Sequence, residues 1–157
     1  MGLVYAVPIA SSAQTGAIDW VEVRAAASRC LRLVELRIGQ STEVGDTQEE
    51  MIRWAIKLGT GTVTSGSGGS SPTITCVTGT GSAGFTAEVN NTTQLAVGTG
   101  TLVTVAQDPF NVRTGLLYVP LPEARWMMAN QNYIAIGMAA APADSITWEG
   151  CAYFEED

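Results

Sequence analysis

Short runs in which apolar and polar residues alternate, each stopped by Gly, Pro or Asn, constrain this chain more than any other feature. A period of two places alternate side chains on opposite faces of a strand, whereas a helix needs a period near 3.6. Ile146 to Phe154 shows it without a slip. Ile146, Trp148, Gly150, Ala152 and Phe154 share one face; Thr147, Glu149, Cys151, Tyr153 and Glu155 take the other. Between Cys30 and Ile38 the phase switches: Leu31 and Leu33 fall on one face, then Val34, Leu36 and Ile38 on the next. One extra residue swaps the faces of a strand, so this switch predicts a β-bulge. Gly39 to Thr42 and Gly45-Asp46 then read as turns.

Ile52, Trp54, Ile56 and Leu58 alternate with Arg53, Ala55 and Lys57. A helix with Asp46 or Thr47 as N-cap and Met51, Trp54, Ala55 and Leu58 as its stripe competes. The β-favouring Trp and Ile, with Gly59 close behind, favour the strand. Ile18 to Val23 is a weak strand, because each of its faces, Ile18, Trp20 and Glu22 on one and Asp19, Val21 and Val23 on the other, mixes apolar with acidic residues. Further strands are expected at 85–89, at 101–106 closed by Gln107-Asp108-Pro109, at 112–119 interrupted by Gly115, and at 133–139; 124–128 reads as extended. Eight to ten short strands without intervening helices predict an all-β fold: an antiparallel β-sandwich, jelly-roll-like, with an immunoglobulin-like sandwich as the alternative. The expected organisation is residues 1–17 as an N-terminal strand or docking arm and 18–157 as one sandwich domain.

Residues 59–84 break the pattern. Twenty of these twenty-six are Gly, Ser or Thr, and no Lys or Arg occurs between Lys57 and Arg113. Such a stretch has little to bury and a high ordering entropy, so it reads as a long loop pointing away from the core, with a short strand at 73–77 inside it. It lacks the Lys and the following helix that a phosphate-binding loop requires. Asn90 to Thr93 reads as a turn, and its two overlapping glycosylation acceptors as turn residues.

Composition narrows the chemistry. The formal net charge is −7 and there is no histidine, which argues against nucleic acid as a partner and excludes imidazole ligands and histidine-based triads. No apolar run is long enough for a membrane span, and the apolar opening lacks the basic start of a signal peptide, Arg24 being the first basic residue. Cys30, Cys76 and Cys151 are odd in number and widely spaced; Cys30 and Cys151 read as buried thiols. Glu88, Asp108, Glu123 and Glu149 are scattered carboxylates, and Glu155-Glu156-Asp157 forms an acidic tail; surface charge or salt bridges explain them better than acid–base catalysis or a calcium site. No catalytic, cofactor-binding or metal residues are assigned, and no cofactor is expected.

Charged residues make up only 15%, where about 25% is usual, which leans toward assembly. The interface candidates are Leu3, Val4, Tyr5, Val7 and Ile9 of the arm, and Trp126, Met127 and Met128, because aromatic residues and Met are enriched at interfaces. Trp20, Trp54 and Trp148, like Trp126, read as core or interface anchors.

Three stretches carry a resemblance: Thr64 to Pro72 (TSGSGGSSP), Glu88 to Thr93 (EVNNTT), and Ala141 to Gly150 (APADSITWEG) leading to Tyr153-Phe154-Glu155-Glu156. With Phe110 to Tyr118 and Pro122-Glu123, they resemble, in fixed order over about residues 30–156, a group of small β-rich proteins of tailed bacteriophages and prophages. The resemblance implies a virion structural component of the head decoration or cement kind. Its implied partner is the major capsid protein, its implied form a homo-oligomer with a trimer favoured, and its implied place the outer surface of the capsid after synthesis in the host cytoplasm. Nucleic acid and membrane are not expected as partners, and the group brings no catalytic residues with it. Two other readings stay open: a tail, baseplate or fibre component that binds a host-surface glycan, and, more remotely, a carbohydrate-active enzyme.

Overall fold

The structure, a computed structural model, describes residues 2–41 and 49–157. The turn read at Gly45-Asp46, Thr42, and the helix caps Asp46 and Thr47 lie outside the described residues. Along the chain run β1 (Leu3–Gln14), β2 (Asp19–Arg24), β3 (Leu31–Gln40), β4 (Met51–Thr60), β5 (Val63–Thr64), β6 (Thr75–Cys76) and β7 (Thr86–Asn91). Then come β8 (Ala96–Val97), β9 (Thr101–Asn111), β10 (Leu116–Tyr118), a 3-10 turn at Pro122–Ala124, β11 (Met127–Met128), β12 (Tyr133–Met138) and β13 (Ile146–Glu156). The fold is all-β, and its two main antiparallel sheets pack as a sandwich. Sheet A has the order β10-β3-β13-β1-β6, with β11 also pairing β3; sheet B is β7-β2-β12-β4-β9. Consecutive strands from β1 to β4 fall in opposite sheets, so the chain crosses the sandwich at each step, and the first strand pairs with the last. Among the described residues no helix is long and apolar enough to cross a membrane.

The alternating runs become the central strands. In β3, Tyr153 faces Glu35 but Phe154 faces Leu33, so Val34 is the extra residue and the bulge sits at the phase switch. Leu31 and Leu33 before it, and Leu36 and Ile38 after it, all reach the core. A second bulge explains the weak pattern of β2. Val21 pairs with Ile136 but Asp19 with Gly137, which leaves Trp20 extra relative to β12. Trp20, Val21 and Val23 therefore enter the core, while Asp19 and Glu22 bond with residues on the far side of the sheet. Inside, Trp20, Phe110 and Trp148 form an edge-on aromatic cluster with centroids 5.4–6.1 Å apart. Trp54 meets Tyr118 edge-on at 5.0 Å.

Several expectations are corrected. Of the two readings of residues 1–17, the strand holds and the docking arm does not: β1 pairs with β13 from Leu3 to Gln14 with a shift between Ile9 and Ser12, and Tyr5, Val7 and Ile9 are core residues. Gln107-Asp108-Pro109 does not end a strand, because β9 runs on to Asn111; Pro109 is tolerated since β9 is an edge strand and Pro lacks a ladder donor. Gly39 and Gln40 still belong to β3, and Asn90 and Asn91 to β7, where both are buried. Of the segment 124–128 only Ala124 belongs to the 3-10 turn; Arg125 is extended and Met127–Met128 form β11, as expected. Cys30 and Cys151 are half-buried free thiols.

The largest correction concerns residues 59–84. This stretch is a strap laid back on the sandwich. Ser70 exchanges backbone hydrogen bonds with Val89 on the free edge of β7, and Ser67 does so with Thr93. Farther on, β6 pairs with β1 on the corresponding edge of sheet A. Unpaired edges invite association with other chains, and the strap covers one edge of each sheet.

Candidate interaction surface

The eight interface candidates separate on burial. Tyr5, Val7, Ile9 and Met128 are inside the protein's own core and are not available to a partner. Leu3 and Val4 are half-buried under the strap: a Cβ on Gly79 would touch Leu3, and the Val4 N–H donates to Thr78 Oγ1 at 2.8 Å. Trp126 is half-buried and stacks on Tyr118 at 6.4 Å. Only Met127 is freely exposed.

Met127 has neighbours that the sequence reading did not select. Leu117 is 67% exposed, Val119 55%, Leu121 71% and Met127 53%. β10 and β11 both pair with β3, Leu117 opposite Arg37 and Met127 opposite Arg32, and both arginines lie on the side of sheet A away from the core. Between these pairings the chain leaves the sheet through Val119-Pro120-Leu121-Pro122, where prolines cannot continue a ladder. Leu121 has φ −55° and ψ 144°, close to polyproline II, so the segment is extended with its apolar side chains outward. Beside this ridge lies a shallow, largely apolar cleft of about 430 Å³, walled by Leu116, Leu117 and Val119, floored by Gly39 and Gly150, and edged by the Glu35–Arg37 ion pair. A rimmed apolar patch at an open sheet edge is what an interaction surface needs. The legible signal was the pair of prolines flanking Leu121 within an apolar run.

The carboxylates have a different task. Three buried acids each accept a backbone N–H from the chain between β5 and β9. Glu22 takes Gly66 at 2.9 Å, Glu156 takes Gly84 at 2.9 Å, and Asp19 takes Leu95 at 2.7 Å. Glu22 also accepts from Ser65 Oγ at 2.5 Å, and Glu156 pairs with Arg29 at 2.9 Å. Asn91 Nδ2 donates to both Glu22 and Glu88, which face each other across β2 and β7. Burial pushes the Asp19 carboxyl up to about 6, against the pull of the Leu95 amide and the Lys57 ammonium. Hydrogen bonds to a charged acceptor are the strong ones, so these clamps supply the order that the strap's composition lacks.

Close approach explains the glycines at the clamps. A Cβ on Gly66 would come within 2.7 Å of Glu22 Oε2 and 2.6 Å of the Thr93 carbonyl, and one on Gly69 would overlap the Val89 carbonyl. The acidic tail is likewise engaged: Arg32 bonds Asp157 at 2.7 Å, and Arg32 and Arg125 flank Glu155 at 3.7 Å. Glu88, Asp108, Glu123 and Glu149 sit on four different elements: the two opposite edges of sheet B, the 3-10 turn and the middle of sheet A. The structure does not bring them to one place. Burial pushes the Cys151 thiol up, away from a reactive thiolate.

Compared with known proteins, the chain matches no family model, no curated protein and no solved structure.

Proposed function

We propose that this chain is a non-enzymatic virion structural protein of a tailed bacteriophage, a decoration or cement protein that stabilises the head shell from outside. The observation that carries the reading is the exposed apolar ridge Leu117–Val119–Leu121–Met127 on an open sheet edge. The ridge is the surface that seats on the major capsid protein. Support comes also from the resemblance over residues 30–156 and from the antiparallel sandwich itself, in which β1 to β4 alternate between sheets and the first strand pairs with the last. Stabilisation follows by mass action, because a protein that binds assembled shell and not free subunits shifts the balance toward shell. The protein acts as a homo-oligomer, with a trimer the favoured form. Co-sedimentation with assembled capsid-protein shells tests this: saturable uptake at micromolar protein is expected, and no uptake overturns it.

One observation favours a second reading, a tail or fibre component that binds a host-surface glycan. A polar cleft of about 330 Å³ is lined by Glu22, Arg24, Ser65, Ser71, Glu88 and Tyr133, groups suited to sugar hydroxyls. Particle stoichiometry separates the two, since decoration requires hundreds of copies per head and a fibre component at most a few dozen.

A further inference from the structure

Lys57 is the single lysine of the chain, and its side chain is withdrawn from solvent. It is 18% exposed, with Ala55 of its own strand and Ala135 of β12 buried beside it. Lys57 Nζ donates to Gln94 Oε1 at 3.3 Å and lies 3.8 Å from Asp19 Oδ1. That same Asp19 oxygen accepts from Gln94 Nε2 at 3.0 Å, and the Gln94 nitrogen also donates to the Met138 carbonyl at 2.8 Å. Two acceptors at one end of the carboxamide and an ammonium at the other fix which of its atoms is oxygen. Asp19 is fully buried, and its Oδ2 takes the Leu95 N–H at 2.7 Å. The Leu95 side chain, also buried, packs over Gly59. An amine, a carboxamide and a carboxylate therefore meet in a site withdrawn from water, with one carboxylate oxygen facing both nitrogens.

We propose that Lys57 and Gln94 join through an intramolecular isopeptide bond, with Asp19 carrying protons between the two nitrogens. The reaction starts from the ionised carboxylate, which the Leu95 N–H, the Gln94 amide and the Lys57 ammonium all favour. Asp19 Oδ1 takes a proton from the ammonium, because only the neutral amine has a lone pair to give. Nζ then bonds to Gln94 Cδ, and the C=O electron pair moves onto Oε1. As the Cδ–Nε2 bond breaks, Asp19 passes its proton to the leaving nitrogen and C=O re-forms. The nitrogen of the new amide gives one further proton to Asp19, and the departing ammonia carries it off. Atoms and charge balance: an ammonium and a carboxamide become a substituted amide and an ammonium ion. Holding both reactants in contact removes the entropy cost of encounter, which is a large part of such a barrier. The bond would tie the segment before β8 to β4 across 37 positions of chain, and it forms in the isolated protein whether or not a capsid partner is present.

Mass spectrometry of the full chain, intact and after trypsin, tests the bond. The expected intact mass is about 17 Da below that of the open chain, the mass of the ammonia lost. Trypsin needs a free lysine, so it is expected to miss Lys57 and to release residues 54–113, between Arg53 and Arg113, as one peptide carrying the whole deficit. Lys57→Arg, whose guanidinium is no nucleophile, and Asp19→Asn are each expected to restore the open-chain mass. An open-chain mass with cleavage at Lys57 in the wild type overturns the proposal. So does a deficit that persists in Lys57→Arg, which would assign it to a succinimide elsewhere. A bond that forms unchanged in Asp19→Asn overturns the part given to Asp19. If Asp19→Asn does not fold, the wild-type peptide and Lys57→Arg decide.

Discussion

Residues 65–84 lie against the sandwich under two buried carboxylates, Glu22 and Glu156, whereas residues 117–127 lie along the opposite edge with four large apolar side chains in water. Both segments leave and rejoin a sheet, and both carry residues that break ladders. They differ in what the backbone meets. In the strap, glycines bring amide groups within reach of Glu22 and Glu156, and the missing Cβ atoms are what allow the approach. In the ridge, prolines hold the chain extended, and its side chains find no groove in their own protein. A Gly- and Ser-rich segment can thus be well ordered, and an apolar one can be left for a partner.

The largest expected effect lies at Asp19, buried beneath Gln94 and Leu95 just beyond the strap. Denaturant unfolding at pH 4 and pH 7 should show Asp19 costing stability on the order of 3 kcal/mol as it ionises, because the native state binds its proton more tightly than the unfolded chain. The cost appears as pH rises from the ordinary carboxyl value through about 6, and the difference between wild type and Asp19→Asn isolates it. Next comes Gly69→Ala, whose Cβ would overlap the Val89 carbonyl; a loss of about 1–3 kcal/mol is expected. Gly16→Ala, with nothing within 4 Å of its Cβ, is the control and should be neutral or stabilising by about 0.4–1 kcal/mol. Equal losses at Gly69 and Gly16 would break the distinction between clamped and open glycines.

Trp126→Ala, at the foot of the ridge, should cost about 0.5–1.5 kcal/mol through its stacking on Tyr118, read as a small drop in Tm. The smallest effect on stability belongs to the ridge. Leu117→Asp with Leu121→Asp should change unfolding free energy by less than about 0.5 kcal/mol per site while removing shell binding. Marked destabilisation would show that the ridge packs within the fold after all.

Much of the framework was legible because it rests on local periodicity. The register slip at Val34 could be read from Leu33 to Leu36, and β4 and β13 from unbroken alternation. β2 looked weak because alternation assumes one wet face, and here Ser65, Gly66 and Leu95 cover the face that carries Asp19 and Glu22. The strap was misread because composition reports what a segment can bury, not which distant acids meet its amides; Gly84 and Glu156 are 72 residues apart. The N-terminal candidates failed for a related reason. An apolar strand looks the same in sequence whether it pairs within its own chain or with another. Met127 was found, but Leu117, Val119 and Leu121 were passed over, since nothing local shows that an apolar run lacks a covering layer.

The most direct test of this division is hydrogen exchange of the protein bound to assembled capsid-protein shells, compared with the free protein. The account predicts new protection over residues 116–128 and unchanged exchange over the strap from 65 to 84. Protection confined to the strap or to sheet B, with 116–128 exchanging as in the free protein, would contradict it.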